Sequence, residues 1–273
     1  MEWRNIYRGL LMGIADLIPG VSGGTIAFLL GIYERLLAAI SGFFSREWKK
    51  HIGFLLPLAI GIGTGLLLFS SLIHYLLEHH YEPMQFFFMG LIIGVLPFLL
   101  QQADVQRNFR FSHFIWMIIF AILLASLGFV KPITASAPIT SINAATGIGL
   151  FFSGWAASMA MLMPGISGSF ILLILGVYTT AIHALSTLNL PIIAVIGSGV
   201  IVGFVVSSKG IRCILHRYPV MTYAMIIGLI SGSIFVIFPG IPNGNTMVVC
   251  FITFLTGLAL SFLLSKMGSV HAG

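Results

Sequence analysis

Two short strings in this 273-residue chain have the residue types and spacing to bind an anion: Pro19-Gly20-Val21-Ser22-Gly23-Gly24 and Pro164-Gly165-Ile166-Ser167-Gly168-Ser169. Each sets a helix breaker and a small polar cluster directly before an apolar helix. The amides of Gly23, Gly24 and Thr25, and of Gly168, Ser169 and Phe170, therefore become first-turn donors without helical partners. Glycine lets another group come close to this backbone, and a helix start carries positive potential suited to phosphate or carboxylate. Ser22 and Ser167 also fit N-cap positions, where each could cap its own helix and touch no ligand. For one copy, capping would be sufficient. Two copies meeting near the middle of a membrane make a shared phosphate site, Ser22 to Thr25 with Ser167 to Ser169, the stronger expectation.

Charged residues near these strings differ between the copies. Asp16 aligns with Met161, Glu34 with Thr179 and Arg35 with Thr180. An ionisable group at membrane depth costs about 2.5 to 3.5 kcal/mol on insertion scales, so Asp16 should face protein rather than lipid. It either pairs with Arg8 or Arg35, or serves as a protonation site that couples transport to a proton or cation gradient. Glu34 and Arg35 either snorkel to the interface or, for Arg35, meet a phosphate. The eight histidines show no ligand spacing with carboxylates or cysteines, so no metal or cofactor is expected. Cys213 and Cys250 lie in or beside apolar segments and read as packing residues.

The elements that must position these strings are also duplicated. Leu17 to Ser41 and Leu162 to Ser186 share 11 of 25 aligned residues, among them Gly31/Gly176 and Tyr33/Tyr178. Beyond them a shift of 138 residues matches Gly61, Gly65, Gly90 and Gly94 with Gly199, Gly203, Gly228 and Gly232. Six apolar runs, at about 52 to 77, 84 to 103, 112 to 131, 190 to 208, 219 to 239 and 246 to 265, approach the ~20 residues a bilayer requires. The repeated strings are too short to cross. Residues 5 to 45 and 147 to 186 are therefore expected to be re-entrant hairpins, since broken backbone at membrane depth survives only against protein or water. With three spans between the hairpins, the second half lies upside down relative to the first. The expected architecture is all-α: one membrane transporter domain over 1–273, an inverted-topology repeat of about 5–131 and 143–266. The small-residue spacings in Met89-Gly90-Leu91-Ile92-Ile93-Gly94 and its counterpart read as close helix packing.

Composition sets the class. Hydrophobic residues make up 58% and charged residues 7%, and a mean hydropathy of +1.08 excludes a soluble domain. The net charge of +6 does not point to nucleic acid, because the 13 basic residues occur in short clusters between apolar runs. Hairpins with a cytoplasmic N-terminus put Arg4, Arg8, Arg46, Lys49, Lys50, Arg107, Arg110, Lys209, Arg212, Arg217 and Lys266 at cytoplasmic ends. The positive-inside rule is then satisfied, with both termini cytoplasmic. The first apolar stretch carries Asp16 and runs into Pro19-Gly20 without a cleavage site, so it is expected to stay.

The strings Met12-Gly13-Ile14-Ala15-Asp16-Leu17-Ile18-Pro19-Gly20 through Leu36, and Ala160-Met161-Leu162-Met163-Pro164-Gly165 through Tyr178, resemble the signatures of the PopT-type polyprenyl-phosphate transporter family, formerly a domain of unknown function. The resemblance covers nearly the whole chain. It implies return of undecaprenyl phosphate from the outer to the cytoplasmic leaflet of a bacterial or archaeal cytoplasmic membrane. The long tail would stay in lipid while paired hairpin tips hold the phosphate. Two other classes use similar parts. Undecaprenyl-pyrophosphate phosphatases carry Pro-Gly-x-Ser-Arg-Ser and a glutamate cluster, but Gly23 and Gly168 occupy the arginine position here, so no enzyme is expected. A small-anion transporter or channel would use the same helix ends.

Overall fold

The computed structural model describes residues 1–17, 22–43, 45–129, 139, 142–242 and 244–269. Their regular secondary structure is helical throughout, joined by turns and short connections. The first half runs α1 Asn5–Asp16, α2 Gly23–Leu29, α3 Tyr33–Ser41, α4 Trp48–His79, α5 Tyr81–Gln102, a single turn α6 Val105–Asn108, and α7 Phe111–Leu127. The second runs α8 Ala144–Leu162, α9 Gly168–Ile174, α10 Tyr178–Ser186, α11 Leu190–Arg217, α12 Pro219–Ile237 and α13 Gly244–Ser269. Six helices (α4, α5, α8, α11, α12 and α13) are long and apolar enough to cross a membrane. The protein is a polytopic, all-helical membrane protein.

Five of those six coincide with expected spans. The exceptions are α7, only 17 residues long, and α8, at 19 residues long enough to cross although the sequence reading made it one arm of a hairpin. That expectation rested on the shortness of the first copy, which begins only at Asn5. The second copy starts six residues earlier in alignment, where Asn143 accepts from the Thr146 amide at 2.8 Å and fixes the start of α8. Residues 130 and 131, at the end of the third expected span, lie outside the described residues.

Helix direction reveals where the chain turns back. Gly9 packs on the Leu58 carbonyl and Gly13 on that of Ile62, so α1 and α4 run side by side in the same sense. The Glu2 amide bonds to the Gly53 carbonyl at 3.0 Å, joining the two starts. Two neighbouring helices can point the same way only if the chain between them has returned, which α2 and α3 accomplish. In the second half α8 and α11 do likewise, with Gly154 on the Ile196 carbonyl and Gly199 on that of Phe151. There α9 and α10 are bent by 113°. A Cβ at these glycines would meet backbone rather than a mobile side chain, so close approach requires glycine.

Both bends use one local device. Gly31 has φ +67° and Gly176 φ +69°. Ile32 N bonds to Ala27 O and Val177 N to Leu172 O, each at 2.9 Å, closing matching Schellman turns. The remaining helices exchange partners between halves. The second long helix of the first half, α5, packs along α13, and its counterpart α12 packs along α7. The glycine faces lie in these seams: Gly90 meets the Phe254 carbonyl and Gly228 that of Met117. The packing reading of those motifs therefore holds.

Candidate substrate site at the hairpin tips

The two broken segments meet. Thr25 is 1% exposed, and its Oγ1 accepts a hydrogen bond from the Gly165 amide at 3.0 Å. The Ser22 hydroxyl donates to the Met163 carbonyl at 3.3 Å. Tyr33, stacked on Phe28 at 3.9 Å, donates its hydroxyl to the Leu162 carbonyl at 2.9 Å. Three polar side chains of the first hairpin thus occupy carbonyls and an amide freed by the break in the second. Such groups must find partners when buried. Gly165 has φ +87°, and a Cβ there would lie 2.9 Å from the Leu229 carbonyl. Residues 18–21, including Pro19 and Gly20, fall outside the described residues.

The first tip is saturated. The Gly23 amide donates to Asp16 Oδ1 at 2.7 Å, the Gly24 amide to Ser22 Oγ at 3.1 Å, and the Thr25 amide to the Ser22 carbonyl at 2.9 Å. Ser22 therefore caps α2 while also reaching the other hairpin. The second tip differs. Ser167 makes no cap bond; its hydroxyl shares a 2.8 Å bond with that of Ser169. Among the described residues the amides of Gly168, Ser169 and Phe170 have no partner.

Asp16 does not pair with either expected arginine. Arg8 bonds instead to Asn5, whose Oδ1 accepts from Nη1 at 3.0 Å and whose Nδ2 donates to the Phe54 carbonyl at 3.2 Å, while the buried Arg8 Nε has no partner among the described residues. Arg35 pairs with Glu2 and lies over the Phe54 ring at 5.0 Å. It therefore joins the starts of α1 and α4 rather than either tip. Glu34 is exposed in the first turn of α3. The carboxylate of Asp16 instead opens on a cavity of about 400 Å³, with Gly23 and Gly24 beside it and an otherwise apolar lining that includes Met12, Leu58, Met161 and Phe204.

Sequence reading assigned no role to Tyr33 or to the cavity wall on α11. Identity of Tyr33 with Tyr178 was the available signal, yet the copies diverge: Tyr33 is 2% exposed and Tyr178 37%. Only folding brings Phe204 to Met12.

The sequence also matches known proteins. The chain is 41% identical over 273 aligned positions, 97% of its own length and 96% of the relative's, to the polyprenyl-phosphate transporter of Staphylococcus aureus (strain NCTC 8325 / PS 47). It is 36% identical over 253 positions, 88% of this chain and 79% of the relative, to that of Vibrio cholerae serotype O1 (strain ATCC 39315 / El Tor Inaba N16961). No solved structure is a significant match. Residues 12–249 match the pattern of the VCA0040-like group, described as undecaprenyl phosphate translocase-like, and the chain belongs to that family.

Proposed function

We propose that this protein carries a polyprenyl phosphate from the outer to the cytoplasmic leaflet of a bacterial or archaeal cytoplasmic membrane, with both termini cytoplasmic. The observation that carries this reading is the tip-to-tip meeting of two broken helices beside an apolar cavity. Polar groups for a phosphate and an apolar wall for an isoprenoid chain then adjoin. The names of both relatives point the same way. The apolar lining favours a lipid over a small inorganic anion, which would need a wetted path.

In this reading the halves are an inverted repeat and open alternately toward each leaflet. Inversion is supported by neighbouring ends of counterpart helices. Gly42 packs against His51, near the start of α4, and Ser41 shares a cavity with Arg212 and His216, near the end of α11. The start of one long helix thus adjoins the end of its counterpart. Lys49 and Lys50 then share a membrane face with Lys209 and Arg212, as the positive-inside rule asks.

The Asp16 carboxylate holds the Gly23 amide that a phosphate would use. Transfer through the first tip therefore requires Asp16 to withdraw or to take up a proton, which links head-group passage to a proton or cation gradient. The open amides of Gly168, Ser169 and Phe170 are the readier donors. No hydrolysis is part of this scheme, since Gly23 and Gly168 stand where a phosphatase of similar plan carries arginine.

The test is reconstitution into liposomes with labelled undecaprenyl phosphate on one leaflet. Protein-dependent exchange is expected. Absence of exchange under an imposed proton gradient in either direction would defeat the reading, and release of inorganic phosphate from the pyrophosphorylated lipid would make the protein an enzyme instead.

A further inference from the structure

One helix, α11, changes character along a single face. Ile201, Phe204 and Val205 line the apolar cavity, while Lys209, Arg212 and His216 line a second cavity of about 520 Å³. The spacing of three and four residues keeps these side chains on one stripe. Lys209 begins about one turn, ~6 Å, beyond Val205. The opposing wall changes in step, because α3 gives Leu36 and Ile40 to the first cavity and Ser41 to the second. Arg217 completes the basic rim.

No carboxylate lines the basic cavity among its described residues. The Lys209 ammonium and Arg212 guanidinium have no hydrogen-bond or ion-pair partner among the described residues, and the Arg212 carbonyl contacts the His216 ring at 2.9 Å. A solvated basic end would satisfy the positive-inside rule, but it would not need to converge with Ser41 on one concavity. Nor would it need to continue an apolar slot. Long apolar stem and compact anion are the two parts of a lipid monophosphate, and the order here matches them.

We propose that the crevice between α3 and α11 is a two-part seat for a lipid phosphate monoester. The phosphate rests on Lys209 and Arg212; the Ser41 hydroxyl, which donates to the Ala38 carbonyl at 3.1 Å, turns from it to the phosphate, and the adjoining units of the apolar chain fill the cavity bounded by Phe204 and Val205. This deepens the transport reading and rests on it: the seat is where the head group is received on the basic, cytoplasmic face after it has left the tips and Asp16 has closed the first tip behind it. Guanidinium and ammonium donors on a phosphate dianion give charge-assisted bonds that a neutral alcohol cannot make. Stem and head should therefore be separable in binding.

The exposed Cys213 lines the basic cavity, whereas Cys250 is buried, so alkylation of Cys213 by a maleimide reports occupancy in the unmodified protein. Farnesyl phosphate, a short polyprenyl monophosphate, should slow that labelling several-fold, and farnesol should not. Inorganic phosphate should protect only at far higher concentration; equal protection by it would show a free-anion site and overturn the lipid seat. In the Lys209→Gln/Arg212→Gln protein, farnesyl phosphate affinity should fall about tenfold or more. Val205→Trp, which fills the apolar part, should weaken farnesyl phosphate without changing inorganic phosphate. Unchanged labelling at saturating farnesyl phosphate, or unchanged affinity in the charge-neutral variant, would refute the seat. Wild-type leaflet exchange is measured alongside: exchange without Cys213 protection removes the seat and keeps the transport reading, and protection without exchange does the reverse.

Discussion

In the first hairpin tip three successive amides are taken, by Asp16, by Ser22 Oγ and by the Ser22 carbonyl. In the second, the amides of Gly168, Ser169 and Phe170 lack partners among the described residues. The two strings share their Pro-Gly and Ser-Gly pairs, but residues beside and within them differ. Asp16 is replaced by Met161, whose side chain lies against Gly168 but cannot accept as a carboxylate does. An internal anion closes one site while the other stays available. Gly24 is likewise replaced by Ser169, whose hydroxyl engages that of Ser167, so two differences make the aligned helix ends unequal.

That inequality can be attacked directly. The largest effect is expected from equalising the tips. Met161→Asp should carry a carboxylate to the Gly168 amide as Asp16 reaches Gly23, so both tips become self-occupied and leaflet exchange falls at least about tenfold, the scale of losing one charge-assisted contact. Asp16→Asn should also impair exchange, by leaving an amide that cannot leave its site through protonation. Wild-type exchange by both variants would show that the carboxylate is a structural cap only.

Steric closure gives a second contrast. A Cβ on Gly23 would lie 2.9 Å from Asp16 Oδ1, a side-chain atom that can move. On Gly168 it would lie 2.8 Å from the Ala157 carbonyl, which cannot. Gly23→Leu should therefore leave the protein folded and abolish exchange, while Gly168→Leu should also destabilise by about 1 to 3 kcal/mol through overpacking. Thermal unfolding beside exchange separates the two. Equal stability losses would mean that Asp16 is as fixed as backbone.

Much of this was legible beforehand and some was not, for physical reasons. The hairpins could be read because Pro-Gly within short apolar runs leaves polar backbone that lipid does not solvate. The glycine faces could be read because close packing of helices demands small residues at fixed spacing. The partner of Asp16 could not: it is a backbone amide seven residues away across the broken loop, whereas the sequence left Arg8, Arg35 and a protonation role open. For Arg35 the sequence left interfacial snorkelling and a phosphate contact open, and contacts distant in the chain, from Glu2 and the Phe54 ring, hold it at the start of α1. The exchange of α5 and α12 between halves depends on contacts far apart in the chain, which periodicity does not encode. The length of α8 was missed because the first copy set the template.

A third contrast concerns the bond between tips. Thr25→Val keeps shape but leaves the buried Gly165 amide without its acceptor, at a cost of about 1 to 3 kcal/mol. Thr25→Ser should restore most of that stability, because the oxygen returns and only a methyl group is lost. Restoration by Ser distinguishes the hydrogen bond from packing of the methyl; failure of Ser to rescue would assign the contribution to the methyl.

The smallest effect is the most discriminating test of whether aligned serines have the same job. Ser22 caps α2 through the Gly24 amide and donates to Met163, so Ser22→Ala should cost about 0.5 to 2 kcal/mol, the worth of an N-cap. Ser167 has no cap bond and shares only a hydroxyl contact with Ser169. Ser167, though buried, gives up only that one neutral bond, so Ser167→Ala should cost about 0.5 kcal/mol, the low end for a hydrogen bond. Its main effect should appear in exchange, since Ser167 borders the open amides. If the two alanine variants lose the same stability, Ser167 caps its helix after all and the second tip is as closed as the first. If Ser167→Ala costs little in unfolding and slows exchange, the same residue type is a cap in one copy and part of the open tip in the other.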